Sequence, residues 1–411
     1  MLSDRPSRCR AARAHSLLPP PARRGAALNS SVFRSMTRTI FPPPALEEAL
    51  HSARETRALA IGPAILPRVP EVFRKQFPGR RAIVVADPTT FTVAGRAVHD
   101  ALDAAGLNVA EPFVFSDPAL YAEHRFVGQL EAALRMHEAI PVAVGSGTIN
   151  DLVKLAAHRL ARPFMCVATA ASMDGYTAFG ASITFRGAKQ TFECPAPRAV
   201  IADTDIIRRA PPPMTAAGYA DLLAKVTAGA DWILADALDA EAIDARAWTL
   251  VQDGLRDALA DPAGARAGDE NAITKLVGGL MLGGFAMQRT RTSRPASGAE
   301  HQFSHLWDME HHVHRGEAPS HGFKVGIATI AVTALYEHLL RQPFERLDVA
   351  RCSERWPDAD ETEAQVRTLF AEAEFIDIAV RETRAKHLSR PALQAQLERW
   401  RATWPGLRER L

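Results

Sequence analysis

The chain has 411 residues, 47% of them hydrophobic and 23% charged, which describes an ordinary soluble globular protein too long for one small core and so built of two domains. Its net charge of +2 hides seven arginines in the first 36 residues against one acid, Asp4; the rest carries about −4, which argues against nucleic acid as the main partner. Four cysteines without CxxC spacing exclude a disulfide frame or a zinc ribbon, and no apolar run approaches the roughly 18 to 20 residues of a membrane span, so a cytoplasmic protein is expected.

In chain order, residues 1–36 read as a disordered extension, with an Arg- and Ser-rich transit peptide and a true start at Met36 as the alternatives. Leu46 to Leu59 has a helical pattern, followed by proline-rich turns. Arg81–Asp87 is a short apolar run closing on an acid and reads as a buried strand. Val93 to Ala105 predicts a helix, Asn108 to Val114 a second strand, residues 119–138 another helix and Ile140–Val144 a third strand. Ile149 to Arg159 then continues as a helix, and Pro163 to Ala168 forms a further strand. Strands alternating with helices imply a parallel sheet, so residues 37–210 are expected to form a Rossmann-like α/β nucleotide-binding domain. After Pro211-Pro212-Pro213 the periodicity is helical throughout: 217–236, 238–260, 270–291, 296–309, 322–340, 360–373 and 375–401. Residues 211–411 are expected to form an all-α domain.

Several stretches carry chemistry. Gly145-Ser146-Gly147-Thr148-Ile149 follows a strand and opens a helix, where backbone N–H groups can meet a pyrophosphate; it lacks the third glycine of the Rossmann fingerprint, and an ordinary strand-to-helix turn looks the same. Asp87 ends its strand as either a ribose acceptor or a helix cap. Thr169-Ala-Ala-Ser172-Met-Asp174-Gly175 places hydroxyls and a carboxylate at the sheet's C-terminal edge, or else makes a tight turn. Asp221 stands on an apolar helix four residues before Lys225; it is a metal ligand or half of a surface ion pair. His301 and His305 share a helix face, and His321 precedes Gly322. Such imidazoles can hold a divalent cation and leave one coordination position open. His311, His312 and His314 point in different directions and are read as bystanders.

In order along the chain, Gly145-Ser-Gly-Thr-Ile-Asn-Asp151, Thr169-Ala-Ala-Ser-Met-Asp-Gly-Tyr-Thr177, Ala217-Gly-Tyr-Ala-Asp221, Arg294-Pro-Ala-Ser-Gly-Ala-Glu-His301 and His321-Gly322 resemble the sn-glycerol-1-phosphate dehydrogenase family. That family lies in the iron-containing alcohol dehydrogenase and dehydroquinate-synthase-like superfamily. The resemblance implies NAD(P)H-dependent reduction of a small phosphorylated ketone, dihydroxyacetone phosphate, to sn-glycerol 1-phosphate. It also implies one divalent metal ion (zinc, nickel or iron) and a homo-oligomer. Carried over by position, Asp221, His301 and His321 are the metal ligands and Asp174 and His305 the substrate contacts. Gly145, Ser146, Gly147, Thr148, Ile149, Thr169 and Ser172 are cofactor contacts, with Asp87 at the adenosine ribose. His305, with a reference pKa near 6.5, or a water chain would deliver the proton, and Lys225 or Lys324 would meet the phosphate. Ala178 stands where the family often has serine, which puts one cofactor hydrogen bond in doubt. The tail after Phe344 is unmatched. Rival readings in the same fold are a glycerol or polyol dehydrogenase and a dehydroquinate-synthase-like cyclase.

Overall fold

A parallel strand covered on both faces needs apolar side chains at nearly every position, and the strand sequences here meet that demand. The computed structural model describes residues 44–107 and 111–411. The strands are β1 (Ala58–Gly62), β2 (Ala82–Ala86), β3 (Phe113–Val114), β4 (Ile140–Gly145), β5 (Met165–Ala168), β6 (Ala181–Phe185), β7 (Ala188–Phe192) and β8 (Ala199–Asp203). Six form one parallel sheet in the order β1-β8-β5-β4-β2-β3, and β6 and β7 pair as a separate antiparallel hairpin. Val84, Val142 and Val144 belong to the core on one face of the sheet, while Ile83, Val85 and Ala143 belong to the core on the other. From β3 the chain crosses back over β2 to lay down β4. The strand order thus reverses between β2 and β4, the point where open α/β sheets leave a crevice for a ligand.

The expected α/β half followed by a helical part is what the chain adopts, with local differences. The segment read as helical from Leu46 ends at Ser52, and Ala58–Gly62 is instead the edge strand β1; a short Ala- and Leu-rich run fits either period. The strand expected over Asn108–Val114 is paired only at Phe113–Val114, and residues 108–110 lie outside the described residues, as does the extension 1–36. The run 217–236 is two helices, Pro212–Leu223 and Lys225–Ala237, meeting at Ala224. The run 238–260 is broken into Ala245–Gln252 and Leu255–Ala258, and 375–401 into Ile376–Lys386 and Arg390–Arg410. Helices Glu270–Thr290, Ala299–Met309 and His321–Leu340 fall close to their expected bounds. The last of these has the length and mean hydropathy, 1.3, of a membrane-crossing helix. Its first turn nonetheless buries Lys324 against Asp308 and packs beside the helices that carry Asp221 and His301. The unmatched tail serves as a buttress, in which Trp404 and Leu407 pack with Ile233 and so support the Lys225–Ala237 helix.

One buried lysine ties the loop after β5 to the sheet. Lys154, on helix Gly147–Arg159 and 1% exposed, donates to the carbonyls of Gly175 (3.0 Å), Ala178 (3.0 Å) and Gly180 (2.9 Å). A charge that deep is tolerated only because its protons are all bonded. Lys154→Met removes three hydrogen bonds at once, leaving the Gly175 carbonyl to Asn150 and the Ala178 N–H, and is expected to lower the unfolding free energy by about 3 kcal/mol. A urea titration checks this, and an unchanged midpoint would show that the loop is held by other contacts.

Candidate active site

The site forms where three helices meet the loop after β5. Asp221 lies in the helix Pro212–Leu223, whose Gly218 rests directly on that loop: a Cβ there would come within 2.0 Å of the Ala171 carbonyl oxygen. The helix His321–Leu340 starts with its Ser320 hydroxyl accepting from Phe323 N, and its Gly322 packs equally closely, a Cβ falling 2.1 Å from the Ala217 carbonyl oxygen. Only glycine permits these approaches, and they bring His321 to Asp221. Ser304, on the His301 helix, lies 3.3 Å from His321 Nδ1.

The outcome is a cluster of donors. One ligand atom each from Asp221, His301 and His321 lies within 4.8 Å of the others. His301 Nε2 is 3.6 Å from Asp221 Oδ1, while its Nδ1 is 2.8 Å from Glu300 Oε1. Glu300 is itself fully buried and accepts from Gly298 N (2.6 Å) and Thr227 Oγ1 (2.7 Å). A carboxylate on one ring nitrogen, leaving the other nitrogen aimed at a second carboxylate, is how metal-binding imidazoles are oriented. One carboxylate and two imidazoles suit zinc, nickel or iron, so the donor set fits the implied cation. The sequence offered no cue to Glu300 beyond its place beside His301.

Lys225 organises the carboxylates. Its Nζ, fully buried, lies 2.9 Å from Asp221 Oδ1 and 2.6 Å from Asp174 Oδ2, and the Asp174 N–H donates to Asp221 Oδ2 at 3.0 Å. Burial alone would raise the Asp221 carboxyl, but the Lys225 ammonium and the nearby His301 imidazole outweigh it and hold Asp221 well below the usual carboxylate range. Burial and the neighbouring Asp221 charge push Asp174 up. Burial would lower His301, yet the neighbouring Asp221 and Glu300 carboxylates raise it. His321 is depressed by burial and by His301, which favours the neutral ring, the form in which an imidazole can bind a metal.

Two expectations change here. The lysines expected to meet a phosphate, Lys225 and Lys324, are both buried in ion pairs, the first with Asp174 and Asp221 and the second with Asp308, and neither lines the cleft. The reference pKa of histidine does not apply to His305: burial and the His301 charge push it down to about 4, so it is neutral near pH 7. The Asp221–Lys225 pair is real, but buried and not on the surface. His311, His312 and His314 sit in the exposed stretch after the His301 helix.

The expected nucleotide residues surround two neighbouring cavities. The larger, about 400 Å³, is lined by Ser146, Gly147, Thr148, Ser172, Asp174 and His321. It also takes in Lys189 of β7, which no motif in the sequence singles out. Ser146 stands at the N-terminal boundary of helix Gly147–Arg159 without a side-chain capping bond, which suits the helix end to an anion. The second cavity, about 330 Å³, includes Thr169 with Thr89 and Thr90, and both cavities reach Met214. Gly145 ends β4, and Ile149 is buried beneath the turn. Asp87 lines neither cavity; its Oδ1 accepts from Thr90 N at 2.9 Å, capping the short helix that carries Thr89 and Thr90. Ala178 is buried, and its carbonyl is one of the Lys154 acceptors.

A family model described as iron-containing alcohol dehydrogenase matches residues 60–211, from β1 into the start of the Asp221 helix. The chain is 36% identical over 264 residues to the glycerol-1-phosphate dehydrogenase (NAD(P)+) of Halalkalibacterium halodurans, a match covering 64% of this chain and 66% of that protein, just under two thirds of its length. It is 35% identical over 283 residues to the protein of the same name from Methanosarcina barkeri, covering 68% of this chain and 76% of the relative. The chain therefore belongs to the glycerol-1-phosphate dehydrogenase family of the iron-containing alcohol dehydrogenases. The crystal structure of a glycerol dehydrogenase from Schizosaccharomyces pombe shares the fold with a TM-score of 0.57 at 18% identity, covering 87% of this chain and 92% of the other.

Gly322→Ala tests the close helix contact. Forcing the His321 and Asp221 helices apart is expected to weaken zinc binding at least about tenfold, read by competition with a chromogenic chelator, since ligand geometry governs affinity. Unchanged affinity would show that the contact does not set the ligand spacing.

Proposed function

We propose that the protein catalyses NAD(P)H-dependent reduction of dihydroxyacetone phosphate to sn-glycerol 1-phosphate. The observation that carries this reading is the convergence of Asp221, His301 and His321 beside the cleft that holds the glycine turn. The family supports it: relatives bear that activity in their names. In this reading residues 37–210 serve the nucleotide and 211–411 the metal and substrate.

Asp221, His301 and His321 hold the divalent cation, with Glu300 fixing the orientation of the His301 ring. When bound, the cation supplies Lewis acidity toward a carbonyl, and the nicotinamide supplies the hydride. The turn Gly145–Ile149 receives the cofactor's diphosphate through backbone N–H groups. Thr169 and Ser172 bond the cofactor along the two cavities, with Asp87 beyond them at the adenosine end. Asp174, held by Lys225, orients a substrate hydroxyl. His305, neutral at its depressed pKa, orients substrate through hydrogen bonding, and the water route is the better candidate for the proton.

A cytoplasmic location is part of the proposal, supported by free thiols at Cys166, Cys194 and Cys352. A homo-oligomer is also proposed; the outer face of the His321–Leu340 helix leaves Ile327, Ile330 and Leu335 exposed in the single chain.

Following cofactor oxidation by metal-replete protein with dihydroxyacetone phosphate and with dihydroxyacetone tests the reading. A kcat/KM at least about 100-fold higher for the phosphorylated ketone is expected, since a bound phosphate adds several charge-assisted hydrogen bonds. Comparable values would move the protein to the polyol dehydrogenases. His301→Ala is expected to lose metal and turnover together, whereas His312→Ala, in the exposed stretch, should retain both. Elemental analysis of the purified variants, alongside the assay, checks the ligand set, and full metal content in His301→Ala would refute it.

A further inference from the structure

A substrate phosphate has to be received by something, and most of the lysines around the site are already committed. Lys154 is bonded to three carbonyls, Lys225 to two carboxylates and Lys324 to Asp308. None of the three is more than 6% exposed. The cleft wall also presents Asp151 and Asp174, whose negative charge opposes an incoming dianion.

We propose that Lys189 receives the phosphate of the substrate and sets the preference for a phosphorylated over an unphosphorylated ketone. This rests on the reading of the site as a ketone reductase given above. Lys189 lines the 400 Å³ cavity and is partly exposed to it, and among the described residues it forms no ion pair. It lies opposite Thr184 in the hairpin, and Ser182, two residues along on the same ribbon face, lines the same cavity. Strand β7 packs against the helix that carries His301 and His305. Lys189 and His321, one of the proposed metal ligands, line the same cavity. The cofactor's diphosphate has another receptor, the uncapped N-terminus of helix Gly147–Arg159. A ketone held near the three ligands by one end would thus turn its charged end toward the hairpin, where Lys189, with Ser182 beside it, supplies donors.

The test compares wild type, Lys189→Met and Lys189→Arg as full-length, metal-replete proteins. For each, kcat/KM is measured with dihydroxyacetone phosphate and with dihydroxyacetone, the inhibition constant for inorganic phosphate is determined, and the NADH Kd is read by fluorescence. In Lys189→Met the ratio of the two kcat/KM values is expected to fall roughly 10- to 100-fold, the effect of one lost hydrogen bond to a charged group. The loss should lie mainly in KM for the phosphorylated ketone, inhibition by phosphate should weaken in parallel, and Lys189→Arg should recover part of both. An unchanged ratio, with both substrates declining together, would overturn the proposal. So would a weaker NADH Kd at constant ratio, which would assign Lys189 to the cofactor. The wild-type ratio judges the functional reading separately: no preference for the phosphorylated ketone would remove that reading and this proposal with it. A wild-type preference retained undiminished in Lys189→Met would remove this proposal alone.

Discussion

Two carboxylates can share a water-poor junction only if a cation lies between them, and here Lys225 is that cation. Isolated, Asp174 and Asp221 would each bear the full cost of desolvation and would repel one another. With one ammonium within 2.9 Å of an oxygen on each, Asp221 stays ionised and Asp174 is held at a fixed angle to it. The loop after β5 and the Asp221 helix are thereby joined by charge as well as by the Gly218 contact. That joint lies between the parallel sheet and the helices that carry His301 and His321.

Around it the site is built of paired constraints. Glu300 fixes which nitrogen of His301 faces inward, and Thr227 and the Gly298 N–H fix Glu300. Lys154 stitches the same loop from the opposite side through its carbonyls. Functional side chains of this kind seldom stand on one support, because a shift of one ångström in a ligand or a substrate contact is enough to weaken the chemistry. The two cavities share Met214 in their walls and flank the joint.

Much of this was legible in the sequence, for physical reasons that also mark where legibility stopped. Strands β2, β4 and β5 announced themselves because a doubly covered parallel strand is apolar throughout and ends in glycine or polar turn residues. The gathering of Asp221, His301 and His321 was readable only through resemblance, since 80 residues separate Asp221 from His301 and no periodicity spans them. Spacing offered the Asp221–Lys225 pair but not its burial, nor the third partner Asp174, nor the pairing of Lys324 with Asp308. The depressed His305 is of the same kind, because burial is a property of the fold. The β6/β7 hairpin did leave a signal, the alternating Ala-Ser-Ile-Thr-Phe, an Arg186-Gly187 turn with φ of 51° and 74°, then Ala-Lys-Gln-Thr-Phe. Reading that alternation would have brought Lys189 forward.

The hairpin's position has a consequence for how selectivity can change. It is inserted between β5 and β8, yet it hydrogen-bonds to neither; the sheet's register runs directly from β5 to β8 without it. Residues on one face of the ribbon meet the cavity, while Ile183, pointing the other way, anchors it in the core. The cavity face of the ribbon therefore lies outside the hydrogen-bonded register of the six-stranded sheet. The ribbon can thus be viewed as a faceplate: a pair of strands outside the main sheet whose Ser182 and Lys189 give the cavity wall its polar character.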